Sequence, residues 1–442
     1  MKISVIGLGY LGATHAVAMA KLGHEVVGVE SNPERLAALK SGKVPFFEPG
    51  LDAALSEAIA SGRLQFQPEM SESLRDCSAH FICVGTPQAA SSNSADLTYI
   101  YASGAALALV MSESSVVIGK STVPVGTGAE LKRRMTEILG AEVHLAWNPE
   151  FLREGTALED SLHPDRIVFG VAGGDELSER LLRDIYAPVL ANHRQTPILV
   201  TNLETAELVK AAANSFLATK ISFINAMAEI CEVAGGNASE LAVAIGMDER
   251  IGSKFLRNGI GFGGGCLPKD IRAFMARADE LGVGNAVEFL ADIDKINLRR
   301  RERVVAVAKS ALGDLAGKHI TVLGAAFKPD SDDLRDSPAI AVARLLAREG
   351  AQVTVHDPLA LERIGEYAPE LTPQPNLQEA LEGANLVVLA TEWSQYRELD
   401  PAKINNTSNR ILVDGRNALD EQVWRAAGWQ FIALGRGDLV AN

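Results

Sequence analysis

Between Asn258 and Asp270 the chain reads N-G-I-G-F-G-G-G-C-L-P-K-D, with glycines at 259, 261, 263, 264 and 265 around one cysteine and a Lys-Asp pair. Glycine has no Cβ to hold backbone away from a ligand and adopts positive φ readily, so such a loop can wrap a polar molecule with its N–H groups. Pro268 suits the first turn of a helix, which puts Cys266 just ahead of a helix N-terminus, where the dipole favours a thiolate. That is the setting of a nucleophile. An ordinary cysteine is a small buried hydrophobe. Cys77, near a strand start, Cys83, in the apolar run A-H-F-I-C-V, and Cys231, in a long helical pattern, read that way.

The elements that must serve this thiol begin at the N-terminus. Lys2 to Ile6 reads as a buried strand, followed by Gly7-Leu8-Gly9-Tyr10-Leu11-Gly12, a helical run from Ala13 to Leu22 and a second strand from Glu25 to Glu30. This is the full context of a G-x-G-x-x-G dinucleotide turn. Glu30 closes the second strand where a carboxylate accepts the ribose hydroxyls and repels a 2′-phosphate, so NAD is expected rather than NADP. Strands at Ala79 to Val84, Ser115 to Gly119 and Val143 to Trp147 end in Gly85-Thr86-Pro87, in Lys120-Ser-Thr-Val-Pro124 and in Asn148-Pro149-Glu150. Ligands of open α/β sheets bind outside the carboxyl ends of strands, so these loops should face the cofactor with the Thr86 and Thr122 hydroxyls. Glu150 and Glu154 are four apart and share a face if that stretch is helical, which suits acid/base or water-orienting work.

From Leu203 to Val233 an Ala-rich pattern predicts one long helix, capped by Asn202 and stopped by Gly235 and Gly236. Lys210 and Asn214 are i, i+4 neighbours on it, and Asn225 follows about three turns later. A second helical run covers Asn285 to Leu312. Helices of this length outside a sheet join domains or form a subunit interface, so a homodimer through them is expected. A second α/β unit follows, with strands at His319 to Leu323, Gln352 to His356, Ala384 to Ala390, Arg410 to Val413 and Gln430 to Leu434. Its first loop, Gly324 to Arg335, lacks the dinucleotide glycines but carries Lys328 and Arg335, which suggests a phosphorylated ligand other than a second dinucleotide. The expected fold is α/β: two doubly wound Rossmann-like domains joined by a central long-helix domain, divided at 1–200, 201–312 and 313–442.

Lys+Arg 42 against Asp+Glu 56 leaves a net charge of −14, which argues against nucleic acid or an anionic membrane as partner. Four scattered cysteines suggest no disulfide framework and eight unclustered histidines no metal site, so a reducing cytoplasm is the expected location. Gly7, Gly9 and Gly12 spoil the N-terminus as a signal peptide, and no apolar run suggests a membrane span.

The dinucleotide turn, S-T-V-P-V-G-T at 121–127, N-P-E-F-L-R-E-G at 148–155, E-L-V-K-A-A-A-N at 207–214, M-D-E-R-I-G at 247–252, G-F-G-G-G-C-L-P-K-D at 261–270 and A-F-K-P-D at 326–330 together resemble the UDP-glucose/GDP-mannose dehydrogenase family, and within it the UDP-glucose 6-dehydrogenases. The resemblance implies Cys266 as nucleophile, Lys210 and Asn214 as oxyanion stabilisers, Asp270 and Thr122 as holders of a water, and Glu150 as an aid to thioester hydrolysis. It places Gly7, Gly9, Tyr10, Leu11 and Gly12 at the cofactor, with Glu30, Arg35, Thr86, Thr122, Glu154, Lys269 and Arg335. It gives the sugar nucleotide Glu150, Phe151, Leu152 and Arg153, then Lys210 and Asn214, then Phe255, Leu256, Arg257, Asn258, Gly259 and Gly263, with Lys328. Arg250 would reach a neighbouring subunit's substrate. Two departures stand out: Glu30 where Asp is commoner, and Gly265 where Ser is usual, the latter expected to be harmless.

This inventory suits a four-electron oxidation of a primary alcohol to a carboxylate with two NAD+: a thiolate traps the aldehyde, and the adduct can be oxidised again to a thioester. E-F-L-R-E-G at 150–155 and H-P-D-R-I-V at 163–168 look most like the UDP-glucose branch, giving UDP-glucuronate as product. Open alternatives are the same chemistry on UDP-N-acetylmannosamine, UDP-N-acetylglucosamine or GDP-mannose, a two-electron hydroxyacid dehydrogenase with Lys210 as base, and a non-catalytic nucleotide-sugar sensor.

Overall fold

A computed structural model describes residues 1–193 and 195–437. By internal contacts it divides into two units, the first made of Met1–Ala213 with Arg272–Gly282, the second of Asn214–Ile271 with the chain from Val283 onward. The last residues of the expected third domain, 438–442, lie outside the described residues.

The first unit holds β1 (Lys2–Ile6), β2 (Glu25–Val29), β3 (Leu64–Gln67), β4 (Ala79–Ile82), β5 (Val116–Gly119), β6 (His144–Trp147), β7 (Ile167–Val171) and β8 (Ile198–Thr201). They form one sheet in the order β3-β2-β1-β4-β5-β6-β7-β8. All neighbours are parallel except β6 and β7. Runs such as A-H-F-I and V-V-I-G are buried throughout, as a parallel sheet covered on both faces requires. Strand order reverses between β1 and β4, the switch point where doubly wound sheets open a crevice for a ligand.

The second unit contains β9 (His319–Leu323), β10 (Gln352–His356), β11 (Thr372–Pro373), β12 (Leu386–Leu389), β13 (Ile411–Asp414) and β14 (Gln430–Ala433). All are parallel, in the order β11-β10-β9-β12-β13-β14. The two sheets share a device at the switch point. Gly7 after β1 has φ +83° and a Cβ there would sit 2.7 Å from Val84 Cγ1, while Gly324 after β9 has φ +106° and would meet Thr391 Cβ at 2.4 Å. In each, the first strand's exit packs against the fourth's so closely that only glycine fits.

The long helix Leu203–Ala234 has 32 residues, and Asn202 caps it by accepting the Thr205 N–H at 2.9 Å. The second long helix is Phe289–Leu312. It starts later than the sequence pattern suggests because Gly284–Val287 forms a separate 3-10 turn. The fold is α/β with two Rossmann-like sheets and long helices in the middle of the chain.

Candidate active site

In the first unit the glycine turn shows what each glycine is for. A Cβ on Gly12 would lie 1.9 Å from Gly7 O, so Gly12 is needed by the fold. A Cβ on Gly9 would meet no protein atom within 4 Å. The fold therefore does not require glycine at position 9, and it leaves open the space directly before the helix Tyr10–Lys21, whose first-turn N–H groups would suit a pyrophosphate. Leu11 stands in that first turn. Glu30, 4% exposed, accepts the Leu8 N–H at 3.0 Å and the Asn32 N–H at 2.8 Å and pairs with Arg35 at 3.1 Å. Thr86 Oγ1 donates to Thr122 O at 2.8 Å, joining the loops after β4 and β5. These features fit a dinucleotide.

The second sheet does not repeat this arrangement. Asp357 follows β10 as Glu30 follows β2, but it is fully buried and accepts N–H groups from Ala325, Ala326, Leu359 and Ala360 and the Trp393 indole N–H. Its carboxylate is consumed by the fold, which agrees with a ligand other than a second dinucleotide there.

Residues 148–156 are not helical, so Glu150 and Glu154 do not share a helix face. Pro149 opens the stretch, Glu150 turns its carboxylate onto the Leu152 N–H at 2.5 Å, and Gly155 leaves it with φ +84°; the helix begins only at Ala157. Glu48 fastens the far end, accepting the Gly155 and Ala157 N–H groups at 2.7 Å each and the Tyr10 hydroxyl. Burial and Glu48 push the Tyr10 phenol far above its usual range. Glu150 Oε1 lies 2.9 Å from Lys210 Nζ. Phe151 lies beneath Arg166, 3.8 Å from the guanidinium carbon to the ring centre, and Arg153 pairs with Asp160. Glu207, one turn before Lys210, accepts the Gly126 and Gly128 N–H groups at 2.7 and 2.5 Å. Burial pushes it up to about 7 against those donors.

In the second unit Cys266 immediately precedes the helix Leu267–Glu280, with Pro268 in its first turn and the Asp270 N–H bonded to Cys266 O at 2.9 Å. It is exposed while Cys77, Cys83 and Cys231 are buried. Burial raises the Cys77 thiol to about 11 and Cys83 to about 12. Asp270 accepts Asn214 Nδ2 at 2.7 Å and pairs with Lys269 at 2.9 Å.

Packing alone already requires glycine at several positions of this loop. A Cβ on Gly259 would meet Gly415 O at 2.5 Å, on Gly261 Asn297 Oδ1 at 2.4 Å, and on Gly263 Asp336 O at 2.3 Å. On Gly265 it would fall 2.2 Å from Arg335 Cζ, the movable end of a side chain that Asp333 holds at 2.6 Å. Asn225 Oδ1 accepts the Gly259 N–H at 2.8 Å, Asn297 bonds both the N–H and the C=O of Phe262, and Arg416 donates to Gly261 O, Phe327 O and Ala390 O. Asn258 is buried and bonded to Leu434 O at 2.8 Å. Leu256 is buried, Arg257 exposed, and Phe255 holds φ +64°. Arg250 is exposed and bound to Asp248, and Lys328 lies 5.5 Å from the Phe327 ring centre.

The roles of Glu48, Glu207, Asn297 and Arg416 escape sequence reading. Glu207 opens the run E-L-V-K-A-A-A-N at 207–214, yet for it as for the other three only tertiary contact reveals its partners. No helix among the described residues is long and apolar enough to cross a membrane, and among them no three His, Cys, Asp or Glu could hold a metal together.

Comparison with known proteins agrees along the whole chain. Family models match in series: the UDP-glucose/GDP-mannose dehydrogenase family NAD binding domain at residues 1–190, its central domain at 204–299 and its UDP binding domain at 321–421. A UDP-glucose 6-dehydrogenase of Rhizobium meliloti is 42% identical over 99% of this chain and 100% of its own length. A UDP-glucose dehydrogenase structure from Pyrobaculum islandicum superposes with a TM-score of 0.88 at 39% identity, covering 98% of this chain and 97% of that one. The structure of UDP-D-ManNAc dehydrogenase from Pyrococcus horikoshii follows at 0.86 and 28%, covering 99% and 100%. With these matches from end to end, the chain is an NAD-dependent dehydrogenase belonging to the UDP-glucose/GDP-mannose dehydrogenase family.

Proposed function

We propose that this enzyme oxidises UDP-glucose to UDP-glucuronate in the cytoplasm, with residues 1–200 binding NAD, 201–312 carrying the cysteine loop and a dimer interface, and 313–442 holding the UDP. The observation that carries the mechanism is Cys266: the one exposed thiol of four, at the N-terminus of a 14-residue helix whose first turn holds Asp270 bonded to Asn214. NAD+ supplies the hydride acceptor, twice per sugar. After the alcohol has lost hydride and proton, Cys266 Sγ adds to the aldehyde carbon, and its thiol proton leaves to solvent as the carbonyl oxygen gains one. Loss of a second hydride from that carbon, and of the proton from its hydroxyl oxygen, leaves a thioester. Water then adds, and the C–S bond breaks to release the carboxylate, the thiol and a proton to solvent. Lys210 and Asn214, four apart on one helix, offer charge and an N–H donor to the oxyanion. Glu150 steadies Lys210 and, with Asp270 and Thr122, orients water.

The dimer reading is supported by the second unit's share of the long helix, where Phe216, Phe223 and Ile230 recur every seven residues and stand exposed by 67%, 47% and 58%. Such a stripe fits the seam of a second copy. A Phe223→Glu variant sedimenting as the wild-type dimer would remove this interface.

Counting NADH against sugar tests the function. Wild type should give two NADH per UDP-glucose, while Cys266→Ser should stall early with fold and NAD binding intact. One NADH per sugar in the wild type would instead indicate a two-electron dehydrogenase, and none at all a sensor. A panel of UDP-glucose, UDP-N-acetylglucosamine, UDP-N-acetylmannosamine and GDP-mannose, compared by kcat/KM, tests the sugar. A competitor outpacing UDP-glucose overturns that assignment.

A further inference from the structure

Glu207 lies one turn before Lys210 on the helix Leu203–Ala234 and is 2% exposed. Its two oxygens take the Gly126 and Gly128 N–H groups, at the entrance to the helix Thr127–Leu139. The turn so gripped follows directly from Thr122. On the same turn, Arg277 Nε donates to Val125 O at 2.9 Å. The contact depends on Gly128, since a Cβ there would lie 3.0 Å from Glu207 Oε1 and 3.2 Å from the Trp147 ring.

Ordinary capping does not explain this acid. A Ser, Thr, Asp or Asn in the loop itself caps a helix from a few residues away, whereas Glu207 reaches Gly126 across 81 residues of chain. Two hydrogen bonds accepted by one carboxylate fix rotation as well as distance. They join two elements that each bear a residue of the chemistry: Thr122 at the end of β5 and Lys210 on the helix. Lys210 has its own second tether in Glu150, so Glu207 holds the backbone and Glu150 the ammonium.

We propose that Glu207 is a positioning residue, which locks the Thr122–Gly128 turn to the Lys210 turn so that the water held by Thr122 and the charge of Lys210 meet the reacting carbonyl from fixed directions. This rests on the function proposed above. Misplacing reacting groups by as little as an ångström costs about 100-fold in rate while leaving ground-state binding largely alone.

The test compares the full-length wild type with Glu207→Gln, Glu207→Asp and Gly128→Ala. In Glu207→Gln an amide NH2 faces one of the two backbone donors. Expected are a kcat lower by about tenfold or more with KM for UDP-glucose and NAD+ within roughly twofold, and faster hydrogen exchange at the Gly126 and Gly128 amides. Glu207→Asp, which keeps two acceptor oxygens, should recover part of both. If Glu207→Gln does not fold, Gly128→Ala should show the same pair of changes through its crowding of Oε1. Wild-type kcat per folded enzyme, or unchanged exchange at those amides, overturns the proposal. If the wild type fails to yield two NADH per UDP-glucose, the functional reading falls, and exchange at residues 122–128 and 207–210 still decides whether Glu207 holds the turn.

Discussion

Lys210 Nζ and Glu150 Oε1 meet at 2.9 Å with side chains only 6% and 12% exposed, so neither charge is left to solvent or alone. Removing one member of such a pair strands the other at a cost of about 3–5 kcal/mol. Lys210→Ala should therefore lose stability as well as roughly 10²–10³ in kcat, the scale of one lost oxyanion donor. Lys210→Met with Glu150→Gln should regain stability while remaining inactive. Urea midpoints alongside single-turnover rates separate the two effects, and a double variant as unstable as Lys210→Ala would contradict the pairing.

The glycine turn predicts two different failures. Gly12→Ala forces a Cβ to 1.9 Å from Gly7 O and should unfold or badly destabilise the first unit. Gly9→Ala meets no protein atom within 4 Å and should melt normally, yet bind NAD+ at least about tenfold more weakly because the added methyl blocks the pyrophosphate. Normal NAD+ affinity in Gly9→Ala would mean the dinucleotide lies elsewhere.

Glu30 is buried with both oxygens engaged, so it cannot swing aside for a 2′-phosphate. Discrimination against NADP+ should reach roughly 100-fold in kcat/KM, about 2.7 kcal/mol. Glu30→Gln should narrow it, with Arg35 freed to meet the phosphate. Equal rates with both cofactors in the wild type would remove this role.

Two buried groups give stability opposite slopes with pH. Burial raises Glu207 from 4.5 to about 7, so its contribution is full below 4.5 and disappears as pH rises to 7, about 3 kcal/mol in all. Burial lowers His80, between Ser4 and Ser115, from 6.5 to about 4, so its contribution is full above 6.5 and disappears as pH falls to 4, again about 3 kcal/mol. The two nearly cancel between 4.5 and 6.5. Glu207→Gln keeps only the histidine and should lose stability more steeply than wild type from pH 7 to 5; parallel denaturation midpoints would show that Glu207 does not titrate there.

Periodicity located β9 and β10 residue for residue, because alternating apolar runs bounded by Gly and charged residues leave little choice of register. It does not reveal β3, β8 and β11, short strands at sheet edges, or β7 beside one, and with β7 the antiparallel turn from β6. The condition for Glu150 and Glu154 to share a helix face is not met: Pro149 and the self-bonding of Glu150 outweigh the i, i+4 spacing. The placement of Cys266 just ahead of a helix is legible through Pro268. The acids that hold the loops were not, since Glu48 and Glu207 look in sequence like any solvated carboxylate.

The exposure of one thiol beside three sealed ones also makes the protein its own redox gauge. Oxidants and alkylating reagents act on exposed thiolate, and Cys83 and Cys77 resist by burial and raised pKa. With Cys266 as the nucleophile proposed above, peroxide is expected to silence the enzyme there before damaging its core, and a reductant to restore it from the sulfenic stage. The same asymmetry lets a maleimide dye mark Cys266 in the unaltered chain, with no cysteine removed to make room for it.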